Sequence, residues 1–130
     1  MKNAIIVAAA LALAGCQTSE ELHSAVAMSQ PVPPAIKAAI VAAARDTLVD
    51  PYSVRDAEIS HMMFNAKSGL HWVCVKANSK NRMGGYTGRQ ALEVWVRNGQ
   101  LAGNLPNSPA CNLPSLRWEP FTELEALKSL

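Results

Sequence analysis

Apolar positions along this chain follow three rhythms. The first is an unbroken run over residues 4–14, built from Ala, Ile, Val and Leu. It is too short to span a bilayer as a stable helix. The second is helical. Ile36, Ile40, Ala44 and Leu48 recur at four-residue spacing, with Lys37 and Arg45 off that stripe. Pro34 suits a first helical position, and Asp50-Pro51 ends the helix because the residue before proline resists the α region. The third rhythm is alternation. In 57–64, Ala57 and Ile59 alternate with Asp56, Glu58 and Ser60; the segment 70–77 is rich in Trp and Val; in 92–97, Leu92, Val94 and Val96 alternate with Glu93, Trp95 and Arg97. These three segments predict strands.

Punctuation completes the pattern. Lys67-Ser68-Gly69 supplies a turn between the first two strands, and Asn98-Gly99 signals a tight turn into a short fourth strand over 100–102. Residues 103–114 read as irregular. Thr122 and Glu125 stand at capping-box spacing, and Phe121, Leu124 and Leu127 share one face, which predicts a short terminal helix. The expected fold class is α+β: one N-terminal helix packed on a small antiparallel sheet of three to four strands, with a short C-terminal helix.

The N-terminus addresses the compartment. Met1-Lys2-Asn3 carries one positive charge, the apolar run follows, and it closes on Leu13-Ala14-Gly15-Cys16. This arrangement resembles the type II signal peptide and lipobox of bacterial lipoprotein precursors. The resemblance implies a signal peptide over 1–15, cleavage before Cys16, a diacylglycerol thioether on the Cys16 sulfur and an acylated new amine. Several acyl chains on one residue make attachment effectively permanent, since each buried CH₂ contributes roughly 0.8 kcal/mol. An ordinary secreted protein cut after Ala12-Leu13-Ala14 is the alternative, and it leaves the neighbouring cysteine without a role. Gln17 follows the cysteine, and by resemblance to the sorting rule of enteric bacteria the lack of Asp there points to the outer membrane, facing the periplasm.

Residues 16–33 are polar and small and end in Pro31-Val32-Pro33-Pro34, the composition of a flexible tether. The single α+β domain is then expected over 34–130, enough chain for one modest core. Loss of Lys2 with the signal leaves eleven Lys and Arg against ten Asp and Glu. So even a balance argues against nucleic acid as a partner.

With Cys16 assigned to lipid, Cys74 and Cys111 remain as an even pair in an oxidising compartment. A disulfide between them is one reading and two free buried cysteines the other. There is no C-x-x-C, so neither a redox motif nor a cysteine zinc site has support. The standard catalytic signatures (H-E-x-x-H, G-x-S-x-G, the Walker A loop, G-x-G-x-x-G) are absent as well. His23 falls in the tether, and His61 and His71 lie on neighbouring strands, where a metal site would need at least one further ligand and the alternation does not fix the register that would bring Asp56 or Glu58 beside them. Asp56 and Glu58 share a strand face, which alternation explains as the wet side of a sheet. No catalytic residue, metal or cofactor is expected.

One stretch remains. From Cys74 to Gly88 the chain reads C-V-K-A-N-S-K-N-R-M-G-G-Y-T-G, with Asp50-Pro51-Tyr52-Ser53 upstream. It resembles a C-x-x-x-N-x-K-N-x-x-G-G-Y-T-G pattern of small bacterial envelope lipoproteins and secreted proteins, which also carry an Asp-Pro-x-Ser segment. Glycine is usual in those proteins directly after the cysteine, and this chain departs from them with Val75. The resemblance implies no activity. Read physically, Gly84, Gly85 and Gly88 permit positive φ or close backbone approach, and Asn78 and Asn81 can bond their own backbone. Lys80, Arg82 and Arg89 add positive charge around Tyr86. The stretch is therefore either a cationic backbone nest for an anionic group or a long connection whose tyrosine packs back onto the sheet.

The functional expectation is a lipid-anchored envelope protein that works by binding another envelope protein or a cell-wall component. An inhibitor or immunity-type protein, wedging the 78–89 loop into a periplasmic hydrolase, is the alternative. An envelope enzyme would need two of His61, His71, Asp56, Glu58 and Tyr86 to converge in a cleft.

Overall fold

A computed structural model describes residues 14–129, with side chains from residue 20 onward. The expected signal peptide lies almost wholly outside the described residues, and so does the side chain of Cys16. The helices are α1 (Ala14–Ala27), α2 (Pro34–Thr47) and α3 (Thr122–Glu125); the strands are β1 (Arg55–Ser60), β2 (Met63–Asn65), β3 (Leu70–Asn78), β4 (Gln90–Arg97), β5 (Gln100–Pro106) and β6 (Trp118–Pro120). The fold is α+β, as the patterning predicts. The strands form one six-stranded antiparallel sheet in the order β5-β4-β3-β1-β6, with β2 also pairing β3. This exceeds the expected three to four strands, and among the described residues there are three α-helices where two were expected.

Alternation along β3 explains why both faces of the sheet are covered. Val73 and Val75 point to one face, where they meet Ile59, Val94, Val96, the α2 residues Ile36 and Ile40, and the terminal Phe121, Leu124 and Leu127. Trp72 and Cys74 point to the other, where they meet Val26, Met63, Cys111 and Leu116. A strand buried on both sides reads as a nearly continuous apolar run, and LHWVCV is one. α2 begins with Pro34 at its start and buries Ile36 and Ile40; each such side chain contributes roughly 1.5–3 kcal/mol on burial.

Three expectations need correction. The strand expected over 57–64 is two strands, because the register against β3 slips by one residue between Ile59↔Val75 and Met63↔Trp72. Ser60 fills the gap, its hydroxyl accepting from the Cys74 backbone N–H at 2.9 Å. The capping box does not form. Phe121 is the residue before α3, without a side-chain cap, and the Glu125 carboxylate instead accepts from the Ala57 N–H at 3.1 Å. The 16–33 segment is not a free tether along its length. It is helical to Ala27, buries Val26, and pairs Gln30 with Met62 through two backbone hydrogen bonds of 3.0 and 2.6 Å. Leu22 and Val26, four residues apart, form a one-turn apolar stripe among polar neighbours that mask it.

Cys74 and Cys111 are joined as a disulfide, with Cα atoms 5.6 Å apart and both residues fully buried. The bond holds the 3₁₀ turn Pro109–Asn112 against the sheet, and Ser108 caps that turn by accepting from the Ala110 N–H. Among the described residues no helix is long and apolar enough to cross a membrane.

Candidate functional site

The Gly-rich stretch is built around Asn81. Its side-chain oxygen accepts from the backbone N–H of Met83 at 2.9 Å and of Gly85 at 3.2 Å. The Asn81 backbone closes the ring, its N–H donating to Gly85 O and its carbonyl accepting from Gly84 N–H, both at 3.0 Å. Three amides that an anion nest would use, those of Met83, Gly84 and Gly85, are thus already occupied by asparagine. Gly84 and Gly88 sit at φ 79 and 102, the left-handed side where glycine is favoured. Gly85 has no positive φ and open space where a Cβ would stand.

Tyr86 returns the loop to the domain. Its hydroxyl donates to the Ser53 carbonyl at 2.7 Å, and the Ser53 hydroxyl accepts from the Lys80 N–H at 2.8 Å while donating to Asp50 O at 2.7 Å. The Arg55 guanidinium lies 3.6 Å from the centre of the Tyr86 ring and the Lys80 ammonium 5.7 Å from it. The Asp-Pro-x-Ser segment and the K-N-x-x-G-G-Y segment are therefore two halves of one clasp. Arg89 lies apart from it and pairs with Glu58 at 2.6 Å. Arg82 and Met83 project into solvent, Met83 with 92% of its surface exposed. Asn78 is buried at the end of β3, its side-chain oxygen without a partner among the described residues.

The clasp borders a cleft that no pattern in the sequence announces. It has a volume of about 610 Å³ and runs between the second half of α2 and strands β3–β5. Val75, Ala77, Leu92, Val94 and Leu101 face it from the sheet; Ala43, Ala44, Thr47, Leu48 and Val49 face it from the helix side. The small Ala43 and Ala44 leave the space open. At one end the lining turns polar, with Ser79, Lys80, Asn81, Thr87 and Gln90, and nowhere does it include an Asp or Glu. The one sequence-level trace is the Ala42-Ala43-Ala44 run, too small to fill the gap to a sheet. A second hollow of about 360 Å³, on the opposite face, is polar and lined by Lys76, Arg89, Gln90, Asn107, Ser108 and Asn112.

The residues an enzyme would need do not converge. His61 bonds Glu119 at 3.0 Å through Nε2, His71 stacks near Phe64 with ring centres 4.8 Å apart, and Asp56 sits beside Arg55 at 3.8 Å. None of these, nor Glu58 or Tyr86, lines the cleft. Among the described residues no three His, Cys, Asp or Glu side chains are grouped as a metal site. No family model matches the chain, and no curated protein or solved structure matches it.

Proposed function

We propose that this is a lipid-anchored protein of the cell envelope that works by binding, with the cleft between α2 and the sheet as its binding site. The cleft carries the reading. Its volume falls within the roughly 300–1,000 Å³ usual for ligand sites, and its apolar walls and polar end suit a ligand of the same polarity. The envelope location rests on the resemblance of Leu13-Ala14-Gly15-Cys16 to a lipobox and is supported by the Cys74–Cys111 pair, since disulfides persist in oxidising compartments. Crosslinking in living cells from a photoreactive residue at Thr87, on the cleft rim, tests it. An adduct with an envelope component is expected there. Equal capture from Ser115, which does not line the cleft, would count against the reading.

The exposed Met83 favours a second reading. Asn81 braces the loop beneath it, and a rigid projecting apolar tip is what a wedge into an enzyme groove requires. Inhibition of a muramidase, lost on Met83→Asp, would support an inhibitor; unimpaired hydrolysis would remove it.

A further inference from the structure

We propose that the cleft takes a single-tailed amphiphile with an anionic head, its tail along α2 and its head at Lys80. This rests on the cleft being the binding site. The lining is unevenly polar: α2 and strands β3–β5 supply mostly apolar walls, with Thr47 and Asn104 as the polar exceptions, and 79–90 supplies most of the hydroxyls and amides and the only charge. That charge is positive. An acid-free wall with one ammonium at its polar end complements a carboxylate or similar head, and it repels nothing anionic.

Lys80 is also available. It is half-buried, and no carboxylate stands within ion-pair distance of it among the described residues, whereas Lys37, Arg45, Arg55, Lys67 and Arg89 each have one. Its ammonium, 5.7 Å from the Tyr86 ring centre, hangs on a segment fixed by the Ser53 and Tyr86 hydrogen bonds. A partly desolvated cation at a fixed site makes a stronger charge-assisted bond than a free surface lysine.

A peptide strand fits less well. The edge strand beside the cleft is β5, and the register breaks between Trp95 and Val96 opposite it. Gly103 there has φ 153, and Pro106 ends the strand. Bulges and proline blunt an edge against strand addition.

The test uses the full chain in phosphatidylcholine vesicles, irradiated with a photoreactive fatty acid or the matching fatty alcohol. Adducts are mapped by peptide mass spectrometry. The acid should label residues around Ala43 and Leu101 about tenfold more than the alcohol, the ratio expected for one charge-assisted hydrogen bond, and unlabelled fatty acid should compete. Lys80→Gln should bring the acid down to the alcohol's level with unchanged melting, and Lys80→Arg should restore the difference. Equal, competable labelling by both probes would overturn the anionic head and leave the cleft standing. Absence of competable labelling by either would overturn the cleft itself. Stronger competition by a two-tailed anionic lipid would overturn the single tail.

Discussion

The Tyr86 hydroxyl donates to the Ser53 carbonyl at 2.7 Å, across thirty-three positions of sequence. The bond joins two segments that look like separate punctuation in the chain, and it answers what the tyrosine in the Gly-rich stretch is for. Tyr86 is a fastener whose ring also carries Arg55. A ligand platform would leave that hydroxyl to the ligand.

Tyr86→Phe keeps the ring and removes only the donor. Urea unfolding should show a loss of about 0.5–1.5 kcal/mol, the usual net worth of one hydrogen bond. Tyr86→Ala also loses the packing of a half-buried ring, so its midpoint should fall further. Wild-type midpoints for both would mean that the clasp contributes nothing to stability.

Adjacent glycines should behave differently. Gly84 lies at φ 79 and Gly85 at an ordinary φ, both with room for a methyl group. Gly84→Ala should therefore cost roughly 1–2 kcal/mol, the left-handed penalty of an L-residue, while Gly85→Ala should be nearly neutral. Melting temperatures of the two variants decide this; equal losses would refute the assignment. Gly103 combines both problems. A Cβ there would stand 2.8 Å from the Trp95 ring, so Gly103→Ala should destabilise without any change in the loop.

Periodicity carried the readable part of this fold. α2 was legible because Ile36 and Ile40 repeat between two prolines, and the β4–β5 hairpin because Asn98-Gly99 takes its turn at φ 51 and 76. What escaped were features set by tertiary partners. Trp118–Pro120 is three residues long and shows no alternation, so only pairing with β1 makes it a strand. Asp56 adopts φ 52 next to the irregular pairing of β1 with β3, a conformation its own residue type only tolerates. Glu125 was drawn from its capping role by the Ala57 N–H. The motif residues 78–89 were found by resemblance, but their roles depend on Ser53. The cleft arises because Ala43 and Ala44 are small at the place where they face the sheet, and a sequence does not say what a helix will face.

The disulfide should be present and closed to reagents. Cys74 and Cys111 are fully buried, so native protein treated with alkylating reagent should gain no mass at either position. A bridge closing a loop of this length stabilises by roughly 3–4 kcal/mol in the chain-entropy model. Cys111→Ser should lower the unfolding midpoint accordingly, with first loss of order expected at the Pro109–Asn112 turn. Two alkylated thiols in untreated protein would exclude the bond.

Val26 distinguishes a docked helix end from a free tether. It is 5% exposed and packs with Met63, Trp72 and Leu116 on the face opposite α2. Val26→Asp would bury an unpaired carboxylate there, at a cost of several kcal/mol or a local undocking that avoids it. Protease cleavage at the exposed Lys67, beside its ion pair with Glu21 at 3.1 Å, should then accelerate. A tether would leave cleavage and melting unchanged.

Membrane attachment is the last expectation open to a single substitution. Cys16→Ser removes the only thiol at the proposed lipid site, so labelling of the protein by a tagged fatty acid should disappear and unprocessed precursor should accumulate. Labelling that survives would end the lipoprotein proposal. The geometry adds a consequence for the attached protein. Gln30 pairs with Met62, and Glu21 reaches Lys67 in the turn before β3, so α1 runs back along β2 toward that turn. The polar end of the cleft lies past the other end of β3, roughly 25–30 Å away for a nine-residue strand. A lipid on Cys16 would therefore hold the β2–β3 turn toward the membrane and the Tyr86 clasp away from it. Spin labels at Ser68→Cys and Thr87→Cys, read against a membrane-depth probe in vesicles, should place the first nearer the bilayer. The reverse order would mean that the cleft opens toward the membrane.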